Sequence, residues 1–343
     1  MSSEAAQRPG LGRLFSKVKI DRYLLLIVSM VVAASFFPAR GEGAVAFSWI
    51  TKFAIGLVFF LHGARLSREA VIGGVTHWRL HLVVMGSTFV LFPLLCLGVA
   101  ALPAWFTPPA LASGIIFLGC LPSTIQSSIG FTVIARGDVP AAVASASASN
   151  LLGMFLTPLL VSLLLHAQGG ISADQVWSIF LQLLAPFIGG QLLRPWIGDW
   201  VKARGKILGY VDRGSILLVV YTAFSGAVVE GVWSRIGAWD LARLLIICSL
   251  LLAAVLTATA YAARALGFTK ADEIAIVFCG SKKSLASGAP MAGVLFPAAT
   301  AGVAMLPLML FHQIQLMACA VIAQAYAKRA EDQSAQEPAK SAA

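Results

Sequence analysis

The chain has 343 residues, of which 59% are hydrophobic and 12% are charged. A soluble domain carries about 25% charged residues, so this composition excludes an ordinary soluble protein and indicates a polytopic membrane protein. The formal net charge of +10 does not indicate nucleic-acid binding, because the lysines and arginines fall in short loops. The five cysteines form no CxxC pair and predict neither a disulfide framework nor a metal site.

Hydropathy predicts an all-α protein with ten transmembrane helices, all but the short first one close to or above the 20 residues that a bilayer requires. A disordered cytoplasmic tail at 1–22 precedes them, and a charged, disordered cytoplasmic tail at 328–343 follows them. In chain order the predicted spans are 23–38, 46–66, 80–102, 110–135, 139–166, 175–193, 207–229, 241–266, 274–296 and 298–327. The fourth and ninth spans contain polar stretches, and we expect both helices to be interrupted there.

The distribution of basic residues predicts the orientation. With both termini in the cytoplasm, 18 lysines and arginines lie on the cytoplasmic side, and three (Arg40, Arg235 and Arg243) lie on the other side. This bias follows the positive-inside rule. We therefore expect a multi-pass protein of the cell inner (plasma) membrane with both termini cytoplasmic.

The two interruptions, PSTIQSS at 122–128 and GSKKS at 280–284, occupy matching positions in a weak internal repeat. A shift of 157 residues places Ser127 on Ser284 and Pro140 on Pro297. The halves, 23–166 and 175–327, would each hold five spans, and an odd number inverts the second half. Paired interrupted helices of this kind predict a transporter site at mid-membrane. The alternative is two kinked helices that pack for structure alone.

Polar side chains near the first interruption are candidate ligands for a hard cation such as Na⁺. Ser145 and Ser149 are four residues apart and share one helix face. The alternative is a set of small residues that permit close helix packing. The candidate ion-binding residues are Ser127, Ser128, Ser145, Ser149, Asn150 and Thr88.

Two adjacent lysines inside the ninth predicted span allow three roles. A lysine could snorkel to an aqueous cavity, neutralise an anionic substrate, or stand as a fixed cation where a bound Na⁺ would otherwise sit. A buried lysine that exchanges its proton would also permit proton coupling. Lys283 is favoured as the site lysine because it overlays Gln126 in the repeat. The candidate substrate or fixed-cation residues are Lys283, Ser284, Lys282, Gln126 and Thr124.

The segments LPSTIQSS at 121–128 and ARGDV at 135–139 resemble the bile acid:sodium symporter family. The closest likeness is to its divergent bacterial SBF-like branch, in which a Lys-Ser pair marks the ninth span, as Lys283-Ser284 does here. The resemblance covers roughly 20–327. It implies a five-plus-five inverted repeat, with a panel domain of helices 1, 2, 6 and 7, and a core domain of helices 3–5 and 8–10 in which helices 4 and 9 cross.

The resemblance also implies sodium ligands at Ser127 and Ser128, near Ser145 and Ser149, and at Thr88. The ninth span departs from the family pattern, because a glutamate expected there is replaced by the apolar pair Val277-Phe278 ahead of the two lysines. The missing carboxylate argues against two bound sodium ions and against bile acid as the substrate.

These observations predict a secondary active transporter, symporter-like and sodium-coupled, for a small organic anion. Its expected partners are the lipid bilayer and that anion, with no nucleic acid and no cofactor apart from Na⁺ as a possible coupling ion. Neither HExxH, GxSxG nor a Walker motif occurs, so an enzyme or an ATP-driven pump is not indicated. The alternative is a non-transporting or proton-coupled membrane regulator that retains the fold.

Overall fold

The structure is a computed structural model that describes residues 22–65, 77–166, 173–231 and 236–341. Within these ranges the chain forms thirteen α-helices and no β-strand. In chain order the helices are α1 Arg22–Phe36, α2 Gly41–Arg65, α3 Trp78–Gly86, α4 Phe92–Ala100, α5 Pro109–Cys120, α6 Gln126–Ile134, α7 Val139–His166, α8 Ala173–Ala203, α9 Gly205–Val229, α10 Ala238–Ala265, α11 Lys270–Gly280, α12 Leu285–Leu295 and α13 Ala298–Ser341. A π-helical turn, Ser87–Leu91, joins α3 to α4.

Six helical stretches of the described chain are long and apolar enough to cross a bilayer, which makes this a multi-pass membrane protein. They are Gly41–Arg65, Trp78–Ala100, Val139–Leu165, Gly205–Val229, Ala238–Ala265 and Ala299–Ala330. By contrast, α5, α6, α11 and α12 have 12, 9, 11 and 11 residues. Each is too short to cross alone. The fourth and ninth predicted spans are therefore each divided into two helices in series.

The two largest differences from the sequence-based helix bounds are C-terminal extensions. The sixth predicted span ends at 193, but α8 continues to Ala203. The disorder predicted from 328 onward is also wrong as far as 341, because α13 continues to Ser341. The stretch 328–341 is rich in Ala, Glu, Gln, Lys and Arg, whose high helix propensity hydropathy does not measure. The stretch 194–203 contains Pro195 and Gly198, and its local sequence does not explain the longer helix. The tail predicted at 1–22 lies, except for Arg22, outside the described residues.

Helix α2 packs against α8 and α9, and α9 also packs against α1, α12 and α13. Two glycines set the distance between α2 and α8. A Cβ on Gly63 would lie 2.0 Å from the carbonyl oxygen of Phe187, and a Cβ on Gly190 would lie 1.9 Å from that of Phe60. Only glycine permits this backbone-to-backbone contact.

A buried carboxylate ties together three helices at one end of the bundle. Glu273, just before the ninth predicted span, accepts hydrogen bonds from Arg264 on α10 (2.9 Å), Lys270 on α11 (2.7 Å) and Tyr326 on α13 (2.9 Å). Burial alone would raise the pKa of Glu273, but these hydrogen bonds and the Lys270 charge lower it to about 2. Glu273 is therefore ionised at neutral pH and holds these helix ends together.

Candidate functional site

The two helix interruptions lie against each other in the middle of the molecule. The first lies between α5 and α6, and the second lies between α11 and α12. Three hydrogen bonds join the two regions. The Ser284 N–H donates to the Pro122 carbonyl at 2.9 Å. The hydroxyls of Ser123 and Ser128 donate to carbonyls at the end of α11, those of Cys279 (2.6 Å) and Phe278 (2.9 Å). The expectation that both segments are interrupted and meet is confirmed by these contacts.

The carbonyl groups at the end of α5 are paired with donors from other parts of the chain. The Thr157 hydroxyl donates to the Cys120 carbonyl at 2.8 Å, and the Asn150 amide donates to the Ser123 carbonyl at 2.6 Å. The Gly119 carbonyl accepts from a lysine described below. The last carbonyls of a helix have no partner within it, and inside a bilayer no bulk water can replace one. These donors therefore permit the interruption.

The carbonyl groups at the end of α11 are likewise paired with donors from other parts of the chain. In addition to the two serine donors of the first interruption, the Ser87 hydroxyl donates to the Gly280 carbonyl at 2.9 Å. The Ser281 hydroxyl donates back to the Val277 carbonyl at 2.6 Å. Each interruption is thus stabilised largely by the other, by the π-helical turn and by α7.

The Lys283 side chain is fully buried, with 0% of its surface exposed. Its ammonium donates to three backbone carbonyls: Gly119 at 2.7 Å, Leu121 at 2.7 Å and Thr88 at 2.8 Å. The ammonium also lies 4.2 Å from the centre of the Phe92 ring, a cation–π contact. The lysine therefore bridges the second interruption to the end of α5 and to the π-helical turn.

The π-helical turn explains why the Thr88 carbonyl is available to this lysine. The Phe92 N–H bonds the Ser87 carbonyl, five residues back. In the same register the partner of Thr88 would be residue 93, which is proline and has no N–H. The Thr88 carbonyl is thus left without a helical donor, and the Lys283 ammonium supplies one.

The backbone of Lys283 is also held from α13. The Gln315 side chain accepts from the Lys283 N–H at 2.9 Å and donates to the Lys283 carbonyl at 2.9 Å. The same Gln315 amide lies 2.9 Å from Nδ1 of His312. This two-point contact fixes the two peptide groups on either side of the Lys283 Cα, where the second interruption turns.

Lys282 has a different environment, although its side chain is equally buried. Its ammonium donates to the Ser127 carbonyl at 2.9 Å and lies 4.0 Å and 5.1 Å from the centres of the Phe131 and Phe278 rings. Among the ion pairs of the described residues, none joins either lysine to a carboxylate. Carbonyl dipoles and aromatic faces therefore stabilise both charges.

The structure brings several of the candidate ion-binding and substrate residues close together, and their side chains are hydrogen-bonded within the protein. The Thr124 hydroxyl lies 2.6 Å from that of Ser127 and 3.0 Å from that of Ser128. The Ser149 hydroxyl accepts from the Ser123 N–H at 3.0 Å. Asn150 bridges the Ser123 carbonyl and the Ser287 hydroxyl.

Two predicted ligands have other contacts. The Ser145 hydroxyl lies 2.7 Å from Nδ1 of His81 on α3. The Thr88 hydroxyl donates within its own helix to the Val84 carbonyl at 2.8 Å, so the backbone of Thr88 reaches the site and its side chain does not.

A cavity of about 690 Å³ lies beside the two interruptions. Five of the residues named as candidates from the sequence line it: Thr124, Gln126, Ser127, Asn150 and Ser284. Lys282 and Lys283 are not among its lining residues within the described chain. The structure thus does not favour the substrate-facing role that was one of the three alternatives for Lys283.

Two helices begin at this cavity, and basic side chains line it. The first residues of α6, Gln126 and Ser127, and of α12, Leu285 and Ala286, are lining residues. Helix N-termini carry partial positive charge and free N–H groups. The charged side chains among the described lining residues are Arg65, Asp212 and Arg213. Arg65 forms an ion pair with Asp212 at 2.6 Å, and the Arg213 guanidinium lies 5.6 Å from the Tyr23 ring centre.

Sequence reasoning missed several residues that build this site. Ser123 pairs with both α7 and α11, Ser87 caps α11, and His81 contacts Ser145. Ser123 lies within the polar stretch and could have been included on that ground. The roles of Ser87 and His81 depend on contacts across more than 60 residues of sequence, for which the chain carries no local signal.

Comparison of the sequence with known proteins finds one family and several relatives. The SBF-like CPA transporter family matches residues 21–328. An uncharacterized protein of Pseudomonas aeruginosa is 57% identical over 317 residues, which cover 92% of this chain and 95% of that protein. The putative symporter YfeH of Escherichia coli is 54% identical over 323 residues, which cover 93% and 96%. Sodium/bile acid cotransporter 7 of Rattus norvegicus is 27% identical over 322 residues, which cover 90% and 93%.

The family match spans most of the chain, and two relatives share more than half of their residues with it over nearly their whole length. The family expected from the interrupted segments is therefore confirmed, and the protein is a transport protein and not an enzyme. The chain belongs to the SBF-like CPA transporter family.

Proposed function

We propose that the protein is a secondary active transporter that binds a small organic anion in the cavity beside the two interruptions. The observation that carries this proposal is the start of two helices, α6 and α12, at one cavity. Their N-termini favour an anionic group. Among the described lining residues, Arg65 and Arg213 outnumber the one carboxylate, Asp212, so this part of the lining has a positive balance. The volume of about 690 Å³ suits a small molecule.

The cavity lies where two groups of helices face each other, which supports alternating access. We propose a panel domain of α1, α2, α8 and α9 and a core domain of the remaining helices, in a ten-span inverted repeat with halves at 23–166 and 175–327. Tyr23, His62 and Phe187 line the cavity from the proposed panel, and Asn150 and Ser284 line it from the proposed core. Relative motion of the domains would expose the anion to alternate sides of the membrane.

The predicted orientation places the charged end of the cavity in the cytoplasm. Arg65 ends α2, and Asp212 and Arg213 lie in the first third of α9; both helix ends adjoin loops predicted to be cytoplasmic. On this proposal, in the inner membrane with both termini inside, the structure is an inward-open state.

Uptake by proteoliposomes tests the proposal. We expect the reconstituted protein to accumulate at least one member of a panel of labelled carboxylates, with a labelled bile acid included. Replacing Arg213 by glutamine should raise the KM for uptake, because the lining loses positive charge. Arg204→Gln is the matched control, since Arg204 is exposed and stacks on Trp200 away from the cavity. Failure of the wild-type protein to transport any member would refute the proposed function for that substrate class.

The rival function is a membrane regulator that retains the fold without transport. The absence of a carboxylate beside either buried lysine, within the described ion pairs, favours it. Thermal melting separates the two functions, because an anion at 100 times its Kd stabilises a carrier by about 2.7 kcal/mol. A regulator without a substrate site would show no stabilisation by any anion of the panel.

Sodium is the coupling ion that the resemblance and the name of the rat relative suggest. The hydroxyls predicted as its ligands, those of Ser127, Ser128 and Ser149, are engaged in hydrogen bonds within the protein. Uptake with and without a Na⁺ gradient, and with and without a pH gradient, tests the coupling separately from transport itself.

A further inference from the structure

We infer that the Lys283 ammonium is a tethered cation that permanently occupies a carbonyl site of the kind a mobile Na⁺ could fill, so that the protein needs no Na⁺ there. The inference deepens the proposed transport function by naming what organises the anion cavity. It selects one of the three roles that the sequence left open for this residue. It depends on the contacts of the ammonium, on the charges around it and on its connection to the cavity.

The contacts of the ammonium match its chemistry in number. A lysine ammonium has three N–H donors and no acceptor, whereas the neutral amine has only two. The Lys283 ammonium has three carbonyl acceptors, those of Thr88, Gly119 and Leu121, at 2.7–2.8 Å. Three acceptors therefore stabilise the charged ammonium over the neutral amine, which could donate to only two of them. Oxygen atoms arranged around one positive centre are also the ligand type that a hard metal cation prefers.

The surroundings favour a cation at this point without a counter-ion. Gly119 and Leu121 lie at the C-terminal end of α5, where the helix dipole presents partial negative charge. The face of the Phe92 ring, 4.2 Å away, adds the negative side of its quadrupole. No ion pair of the described residues joins Lys283 to a carboxylate, and the side chain has no exposed surface. A mobile cation at this point would meet the same field.

Lys282 does not have the same character. Its ammonium has one carbonyl acceptor, that of Ser127, and otherwise faces the Phe131 and Phe278 rings. One oxygen ligand does not make a metal-like site, so we assign the role to Lys283 alone.

The tethered cation is connected to the cavity through the peptide that follows it. Ser284 lines the cavity, its hydroxyl caps α12, and its N–H bonds the Pro122 carbonyl. Lys283 thus fixes the end of α5 and the start of α12 at once. In an ion-coupled carrier a bound cation could perform this assembly, and here a side chain performs it. The anion cavity is therefore organised in the absence of Na⁺.

Melting of the purified full-length protein tests this inference. For the wild type we expect the same Tm in NaCl and in choline chloride of equal concentration, and no saturable binding of ²²Na⁺. Lys283→Ala leaves three carbonyls around a vacated site, so its Tm should fall. That Tm should then rise in a concentration-dependent manner with added NaCl or methylammonium chloride, but not with choline chloride.

Lys52→Ala is the matched control, because Lys52 is exposed beside Trp49. It should show neither the loss of Tm nor the rescue. A Na⁺-dependent Tm or saturable ²²Na⁺ binding in the wild type would overturn the inference. A folded Lys283→Ala variant that neither small cation stabilises would also overturn it. If that variant does not fold, the wild-type measurements still decide.

These readouts do not require transport. Absence of uptake under every condition would refute the proposed function and leave the melting result standing. Uptake that requires Na⁺ would support transport and overturn the tethered cation.

Discussion

Replacing Ser128 or Ser123 by alanine removes one of the hydroxyls that join the two interruptions. Each hydroxyl is fully buried and donates to a carbonyl at the end of α11, at 2.9 Å for Ser128 and 2.6 Å for Ser123. Removal leaves that carbonyl without its donor, at a cost of about 1–3 kcal/mol for each variant. The acceptors, Phe278 and Cys279, are consecutive residues, so the two losses should not be independent.

Unfolding of the purified protein in mixed micelles with increasing SDS measures these free energies. The matched control is Ser249→Ala, since Ser249 is exposed and donates to Leu245 within its own helix. We expect the control to lie within about 0.5 kcal/mol of the wild type. The double variant should depart from the sum of the single variants by at least about 0.5 kcal/mol. Single variants no less stable than the control would refute the conclusion that each interruption stabilises the other.

Three further predictions concern stability. Gly190→Ala would place a Cβ 1.9 Å from the Phe60 carbonyl oxygen and should lower the free energy of unfolding by at least about 1–3 kcal/mol. In the control Gly98→Ala the new Cβ has no atom within 4 Å, and the Tm should not fall, because alanine has the higher helix propensity. The pKa of Glu273 is about 2 in the folded protein, against its ordinary value of 4.5. Its contribution to stability should therefore be fully present above about pH 4.5 and should be lost as the pH falls toward 2. If Glu273→Gln had the same acid dependence of stability as the wild type, this prediction would be wrong. Gln315→Leu removes both hydrogen bonds to the Lys283 backbone and should lower the free energy of unfolding by about 1–3 kcal/mol. A smaller change would show that the turn at Lys283 does not need these hydrogen bonds.

The sequence was sufficient to locate the interruptions, because polarity inside an apolar stretch has few explanations in a bilayer. Lys282 and Lys283 could not lie on a lipid-facing helix at low cost, and PSTIQSS could not continue a helix through Pro122 without loss. The same reasoning does not reveal what each lysine contacts. The acceptors of the Lys283 ammonium lie 162, 164 and 195 residues away in sequence.

Backbone features explain the remaining differences from the predictions. The π-helical turn at Ser87–Leu91 has no hydropathy signature, yet it makes the Thr88 carbonyl available and leaves the Thr88 hydroxyl inside its own helix. The sequence-based prediction named Thr88 for its hydroxyl group, because the residue type identifies the side chain but does not show which backbone carbonyl lacks a helical donor. The extension of α13 to Ser341 was missed for a related reason, since charge was interpreted as disorder although helix propensity there is high.

The long separation between Lys283 and its acceptors also sets an order of events during synthesis. At about 5–20 residues per second, the ribosome adds the lysine roughly 10–30 s after Gly119 and Leu121. During that interval the carbonyls at the end of α5 are already part of the nascent chain, but the Lys283 ammonium that donates to them has not yet been synthesised. We therefore expect the end of α5 to reach its final contacts late, only after α11 has been inserted.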